Sequence, residues 1–437
     1  MNIFVPLFIS LIGTLTGVIF SWIPALHIYN ILALFVFVQV ETAILPNHLI
    51  PYFFAGCVTG YAFTGTLPAI YFSTNDDTTL FYLLPAQKFL MYGRGHEAVI
   101  LSLFGSLGTA FLIFITAIIM PYFLPLLKDL LTPHVSWILA SIGAFMLMSE
   151  WPRTTDRPKS PFGRLKEAWG SLFIGILVFF LSGFLGYIVM RGGVMDPKTS
   201  FQNLMPLFLG LFAIPWLIIN MISNPVLPEQ KIEDKVYTTY PRILRGIFAG
   251  TLGGGFAAFF PVITGGIGAF LAGHATAQRG DDIFIIGQGA NRFLYYVGGF
   301  LLFFVPFLHL RRGGAAWMLN IFYSPSSYSE YFLMISIVLI SAFLSFYLTL
   351  KISKVIAKNI NKIPYKTLSF IIIVFIIILT FLITSYKGLT VLFVSTGIGL
   401  LPPLFGTRRL NCLGALIVPL TVEMSSFSGA VSKILGF

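Results

Sequence analysis

Charge is scarce in this 437-residue chain: only 10% of its residues are Asp, Glu, Lys or Arg, against 57% hydrophobic ones. A soluble domain carries roughly 25% charged residues, and the longest polar run, 150–168, is too short to form one. Mean hydropathy is +0.89, and apolar stretches recur at the length of about 20 residues that a helical crossing needs. The composition therefore implies an all-α polytopic membrane protein, multi-pass in the cell membrane. Cysteine is nearly absent. Cys57 and Cys412 lie far apart, in or beside apolar segments, which excludes a disulfide framework and a zinc spacing. The six histidines are scattered without an HExxH-type spacing, so neither a metal nor a cofactor is expected. Lys and Arg are missing before Lys88, so MNIFVPLFIS lacks the basic n-region of a secretory signal and reads as a membrane segment.

The net charge of +11 does not point to nucleic acid. In a membrane protein Lys and Arg accumulate in cytoplasmic loops and set orientation. Here they gather in 153–166, in 231–245 and in the Lys-only run 351–366. These loops are expected inside and the N-terminus outside.

Glycine and proline fall inside apolar segments where helix interiors do not favour them. Segment 246–274 carries GTLGGGFAAFFPVITGGIGAF, with seven glycines and a central proline, and the apolar opening is broken at Pro24. Such interruptions suggest discontinuous or re-entrant helices, whose freed backbone groups must face protein or a watery cavity. The expected helix breaks are Gly13, Gly17, Pro24, Gly254, Pro261, Gly265 and Gly266. These glycines also fit close helix packing or an anion-binding half-helix start.

Self-similarity gives the organisation. IGTLTGVIFSWIP (12–24) lies over AGTLGGGFAAFFP (249–261) without a gap, and TGYAFTGTLPAIYFSTNDD (59–77) lies over VGGFLLFFVPFLHLRRGGA (297–315). The chain reads as membrane repeat one (1–225), a basic cytoplasmic linker (226–245) and membrane repeat two (246–437). An odd number of crossings before the loop at 153–166 makes the two repeats inverted, the pattern of secondary transporters with the substrate at the repeat interface.

In that register Ser73 and Thr74 meet Arg311 and Arg312, and Asn75 and Asp76 meet Gly313 and Gly314. Hydroxyl, amide and carboxylate groups would face two guanidinium groups, which suits an anionic substrate beside Asp76 or Asp77 as carrier of the coupling ion. Two plainer readings stay open: Asp76 and Asp77 also fit a solvated loop, and Arg311 and Arg312 also fit positive-inside anchors. Lys88, Arg94, His96 and Glu97 read as an interfacial loop, and Asp281-Asp282 as a loop at the membrane surface.

The motifs GTLTGVIFSWIPAL (13–26), GYAFTGTLPAIYFSTND, PAQKFLMYGRGHEAV, GTLGGGFAAFFPVITGGIGAF, IGQGANRF and RRGGAAWML resemble those of the TctA family, the large membrane subunit of tripartite tricarboxylate transporters, and its archaeal members in particular. The resemblance covers most of the chain. It implies the fold and places Asn291 and Arg292 by a central cavity. Pro24-Ala25, Pro261-Val262 and Asn75-Asp76 stand where the family has Pro-Gly pairs, and Arg311-Arg312 where it has an uncharged pair. These departures leave open the substrate and the need for a small membrane subunit and an extracellular binding protein.

The function expected is that of a secondary transporter, or permease, for a small organic anion, a carboxylate, driven by H+ or Na+. Ser73, Thr74, Asn75, Asn291, Arg292, Arg311, Arg312, Gly313 and Gly314 would line the substrate. The alternative is a translocase of a lipid-linked anion such as a polyprenyl phosphate. An intramembrane prenyl- or phosphotransferase is disfavoured, because neither NDD nor RGDD recurs at helical spacing as metal-facing carboxylates would. An enzyme is therefore not expected. Membrane lipid surrounds the chain, and a homodimer is compatible with it.

Overall fold

A computed structural model describes residues 3–23, 26–72, 78, 83–150, 160–191, 200–223, 227–276, 279–425, 429 and 433. The described residues are 82% helical, without strands among them. In chain order the helices are α1 (Phe4–Ser21), α2 (Ile28–Thr42), α3 (Ile50–Thr64), α4 (Thr66–Tyr71), α5 (Leu83–Met91), α6 (Gly95–Thr116), α7 (Met120–Leu131), α8 (Val135–Met148), α9 (Pro161–Arg191), α10 (Ser200–Phe208) and α11 (Ile214–Ile222). There follow α12 (Tyr240–Phe259), α13 (Gly265–Ala275), α14 (Asp281–Phe293), α15 (Gly299–Leu301), α16 (Gly313–Leu319), α17 (Tyr328–Asn359), α18 (Tyr365–Phe405) and α19 (Gly414–Glu423). π-helical stretches occupy Leu209–Ala213 and Leu294–Gly298. Among the described residues, eight helical stretches are long and apolar enough to cross a membrane. The protein is an all-α polytopic membrane protein.

The helices are patterned inside out relative to a soluble protein. α1 buries Ser10, Gly13, Thr14, Gly17 and Ser21, while Phe4, Phe8, Ile12, Leu15 and Ile19 are exposed. α12 buries Gly246, Ala249, Gly250, Gly253 and Gly254 and exposes Leu244, Phe248 and Leu252. Lipid tails solvate large apolar side chains as well as a core does, so close packing of small residues drives association instead. The buried face of α17 carries Ser341, Ala342, Ser345, Thr349 and Ser353 for the same reason.

The chain divides into two compact units, residues 1–128 with 223–368, and 129–222 with 369–437. The first is built on α3 and α14. α3 is buried along its entire length. α1 lies against it so closely that a Cβ on Gly13 or Gly17 would overlap the carbonyls of Phe53 and Cys57. α12 lies against α14 in the same way: a Cβ on Gly250 would overlap the Gly287 carbonyl, and one on Gly254 would come within 2.5 Å of Asn291 O. Gly13, Gly17 and Gly254 are therefore not helix breaks. They sit inside uninterrupted α1 and α12, where the missing side chain permits backbone contact. Hydroxyl pairs tie the surrounding helices, Ser10 to Ser341 at 2.8 Å and Thr109 to Thr251 at 3.0 Å.

In the second unit α19 packs on α9, with Gly186 against the Ala415 carbonyl and Gly414 against that of Phe179. The π stretch Leu209–Ala213 packs on α18 through Gly210, beside Ser395. α18 is interrupted at Ser385 (φ 57°, ψ −163°).

Candidate functional site

Two interruptions in the first unit prepare the site. α12 stops at Phe259, residues 260–264 are non-helical, and α13 starts at Gly265. Pro261 lies in this gap, and Val262 beside it has φ 53°. A β-branched residue at positive φ costs roughly 1–3 kcal/mol, so the surrounding packing must impose it. The second gap, 302–312, holds Phe307 (φ 64°) and His309 (φ 39°). The two gaps are joined: Arg312 Nε donates to Phe259 O at 2.9 Å, satisfying a carbonyl left open by the end of α12.

Arg292, at the end of α14, is the largest fully buried side chain described, only 1% exposed. Its guanidinium lies 4.8 Å from the ring centroid of Tyr61 and 5.2 Å from that of Tyr296. Nη1 donates to Thr78 Oγ1 at 2.8 Å. Each cation–π contact of a desolvated guanidinium is worth up to about 2 kcal/mol, which offsets part of the large cost of burying the charge. The π stretch Leu294–Gly298 directly follows Phe293 and carries Tyr296; such bulges often occur at functional sites. His27 Nε2 bonds the Tyr296 hydroxyl at 2.9 Å, while its Nδ1 caps α2 by accepting from Tyr29 N at 3.2 Å. A single histidine thus positions both the ring and the start of α2.

Asn291 is fully buried. Its Nδ2 donates to Gly265 O at 2.8 Å, tying α14 to the first turn of α13, and its Oδ1 has no hydrogen-bond partner among the described residues. Thr78 is wedged between the Arg292 guanidinium and Gly265, where an added Cβ would meet its methyl group at 3.0 Å. A guanidinium, a carboxamide and the positive end of α13, with Gly265 and Gly266 in its first turn, therefore gather around Thr78. This combination suits a carboxylate: helix starts attract anions, and guanidinium binds them in bidentate fashion.

Of the residues expected from sequence, Asn291, Arg292 and Gly265 come together. Arg312 is bound to the end of α12, whereas Arg311 is exposed and stacks on Trp317 at 4.6 Å. Gly313 (φ 69°) faces the Tyr29 hydroxyl, and Gly314 is buried in α16. Pro24, Ser73, Thr74, Asn75, Asp76 and Asp77 lie outside the described residues. Tyr61, Tyr296, His27, Thr78 and Gly65 were not singled out in the sequence as site residues. His27, near the Pro24 interruption, carried the only signal, since tyrosines in an aromatic-rich chain have no distinguishing pattern.

The segment after residue 226 is bound rather than loose. Lys231 N donates to Gly93 O at 2.8 Å, Gly95 N to Gln230 Oε1 at 3.0 Å, and Tyr237 N to Glu97 Oε1 at 2.8 Å. Glu97 also pairs with Arg94 (2.6 Å), and buried His96 bridges Ser353 (2.8 Å) and Asp234 (3.1 Å). The Asp234 carboxyl is held below its usual range by hydrogen bonds from Lys354 and His96. Asp282, at the start of α14, pairs with Arg242 and accepts from Thr238 at 2.7 Å. Burial alone would raise its pKa, but Arg242, Thr238 and the Ile283 amide bring it down to about 2.

Comparison with known proteins agrees with this architecture. Residues 7–414 match the family described as the tripartite tricarboxylate transporter TctA family. The chain is also 27% identical over 420 residues to an uncharacterized protein of Methanocaldococcus jannaschii, covering 94% of this chain and 96% of that one. No solved structure matches. The chain belongs to the TctA family of tripartite tricarboxylate transporters, as a multi-pass membrane subunit of a transporter and not an enzyme.

Proposed function

We propose that this subunit carries a small organic anion, a carboxylate, across the membrane on an ion gradient, and that Arg292 and Asn291 hold the substrate. The observation that carries this reading is the burial of Arg292 between Tyr61 and Tyr296, beside Asn291 and the start of α13. Ionisable groups at membrane depth are costly and usually functional. Arg292 Nη atoms and the Asn291 carboxamide would bind one carboxylate, and the first-turn amides of α13 would stabilise its charge. Asp76 or Asp77, immediately before Thr78 along the chain, would carry H+ or Na+, with Ser73, Thr74 and Asn75 beside them. Arg312, with Gly313 and Gly314, would hold the α12 break in shape, and Arg311 would attract the anion from outside the site.

The two halves would be inverted repeats that move the site from one membrane face to the other. Supporting this, Gly13 and Gly17 approach Phe53 and Cys57 as Gly250 and Gly254 approach Gly287 and Asn291. The family works with other subunits, so the test is labelled-citrate uptake into proteoliposomes holding the chain and its partner subunits, under imposed Na+ or H+ gradients. Uptake following one gradient, with Asp76→Asn or Asp77→Asn losing that dependence while citrate binding persists, is the expected result. Uptake indifferent to both gradients would contradict the coupling.

A further inference from the structure

In the second unit, α18 gives way to Gly406 (φ 69°), and the chain turns through Arg408 into a short 3₁₀ turn, Arg409–Leu413, before α19. Glu150, only 6% exposed, organises this turn: its Oε1 accepts from Arg408 N and from Asn411 Nδ2, both at 3.0 Å. Gly175 on α9 makes room for it, since a Cβ there would come within 2.8 Å of Glu150 Cγ. Arg408 also donates to Ser149 Oγ at 3.1 Å. Glu150 is thus committed to Arg408 and Asn411 and makes no ion pair with Arg409.

The Arg409 guanidinium stacks 3.8 Å from the Trp216 ring centroid, on α11. Its Nη1 and Nη2 are buried, with no hydrogen-bond acceptor among the described residues. The Trp216 indole N–H, Thr407 Oγ1 and Asn411 Oδ1, all buried, also lack partners among the described residues. Asn411 is fully buried and Thr407 nearly so. A stacked guanidinium has its π-face covered and its edge, the part that binds oxyanions in bidentate fashion, left over. Buried donors normally have partners, and an uncompensated buried charge is strongly destabilising. A fork with both Nη groups unmatched, stacked on an indole whose N–H is also unmatched, is complementary to an acceptor-rich anion.

We propose that Arg409, backed by Trp216 and flanked by Thr407 and Asn411, forms an oxyanion site that takes a carboxylate or phosphate group. Arg409 supplies the bidentate pair and the charge, Trp216 fixes the plane of the guanidinium, and Glu150 holds the turn that presents it. Asn411 Oδ1 accepts a hydrogen bond from a hydroxyl-bearing or singly protonated ligand. A free anion and a lipid headgroup phosphate offer the same chemistry.

Trp216 is a built-in reporter. The full chain is purified in a maltoside detergent, which carries no phosphate, and titrated with citrate and with inorganic phosphate while tryptophan fluorescence is recorded. Parallel samples contain added phosphatidylglycerol and no free anion. The signal assigned to this site is the part that disappears in Trp216→Phe, which separates it from the tyrosine-lined Arg292 region. A saturable Trp216 signal with citrate or phosphate supports a soluble oxyanion; a signal only with phosphatidylglycerol supports a headgroup. In either case Arg409→Lys, which keeps the charge but loses the fork, weakens binding by about tenfold, equivalent to about 1.4 kcal/mol. In the detergent without added anion or lipid, Arg409→Met melts no lower than the parent, because removing an unpaired buried charge costs nothing there. If Arg409→Met does not fold, Arg409→Lys and Trp216→Phe carry the test. No Trp216 signal from any anion or lipid, or an equal signal in Arg409→Lys, overturns the proposal.

Discussion

Arg292 occupies its place only because residue 65 has no side chain: a Cβ on Gly65 would overlap Arg292 Nη2. Gly65 lies between α3 and α4 at φ −65°, ψ −2°, a conformation any residue adopts. Its smallness, not its flexibility, is what the structure uses there.

Gly65→Ala should therefore act through the guanidinium. The backbone tolerates alanine, but Arg292 must swing away from Tyr61 and Thr78. We expect citrate binding to weaken by about tenfold and stability to fall by about 1–3 kcal/mol, the usual cost of overpacking. Calorimetric titration and thermal melting of the purified variant give both numbers. Normal affinity in a folded Gly65→Ala protein would show that the position of Arg292 is unimportant for the ligand.

Glycines in this chain divide by what surrounds them. Gly13→Ala and Gly250→Ala would drive a methyl group into backbone carbonyls of α3 and α14, which cannot step aside. Each should destabilise by about 1–3 kcal/mol. Gly397, exposed on α18, has nothing within 4 Å of the point where a methyl group would sit, and should behave oppositely. Gly397→Ala should stabilise by up to about 1 kcal/mol through helix propensity. Thermal melting of the three variants checks the ordering.

The Asp282–Arg242 pair gives a pH dependence of known sign. The Asp282 carboxyl is depressed from its ordinary 3.8 to about 2. Its contribution is therefore fully present above about pH 4 and is lost as the pH falls through about 2. Asp282→Asn should melt below the parent protein at neutral pH, and the gap should narrow between about pH 4 and 2. A gap that stays constant over that range would mean that the carboxylate charge is not what matters.

Orientation can be read with cysteine chemistry because both native cysteines, Cys57 and Cys412, are buried. Ser160→Cys and Asn361→Cys place exposed thiols in the basic segments 153–166 and 351–366, at the ends of α9, α17 and α18, which carry five Lys or Arg residues each. Such segments resist translocation, so both thiols should react with an impermeant maleimide only after the cells are opened. Labelling of either one in intact cells reverses the assigned topology.

Several of these features were legible in the sequence for physical reasons. Few charges and long apolar runs leave no alternative to a membrane bundle, and Pro261 among glycines marks the gap between α12 and α13 because proline cannot continue the hydrogen-bond ladder. Gly13, Gly17 and Gly254 do not break their helices: glycine serves close packing and helix interruption alike, and composition does not tell them apart. Gly13 and Gly17 contact Phe53 and Cys57 as Gly250 and Gly254 contact Gly287 and Asn291, a pairing four residues out of step with the sequence match that sets Gly60 on Gly298. Arg292 was marked by the resemblance of IGQGANRF to the TctA motifs, and His27 only by lying near Pro24; Tyr61 and Thr78 were not legible, since only folding brings residues 27, 61, 78 and 292 together. Arg409 and Trp216 left no sequence signal either, because the stack joins helices and turns far apart in the chain.

The central claim is that Arg292 binds the carboxylate substrate, and equilibrium binding of citrate to the purified chain tests it most directly. Arg292→Lys keeps the charge but removes the fork, while Arg311→Lys makes the same exchange at the exposed guanidinium stacked on Trp317. The account predicts that Arg292→Lys weakens citrate binding by about tenfold or more, with Arg311→Lys close to the parent. Equal affinity in the parent and a folded Arg292→Lys protein would contradict it.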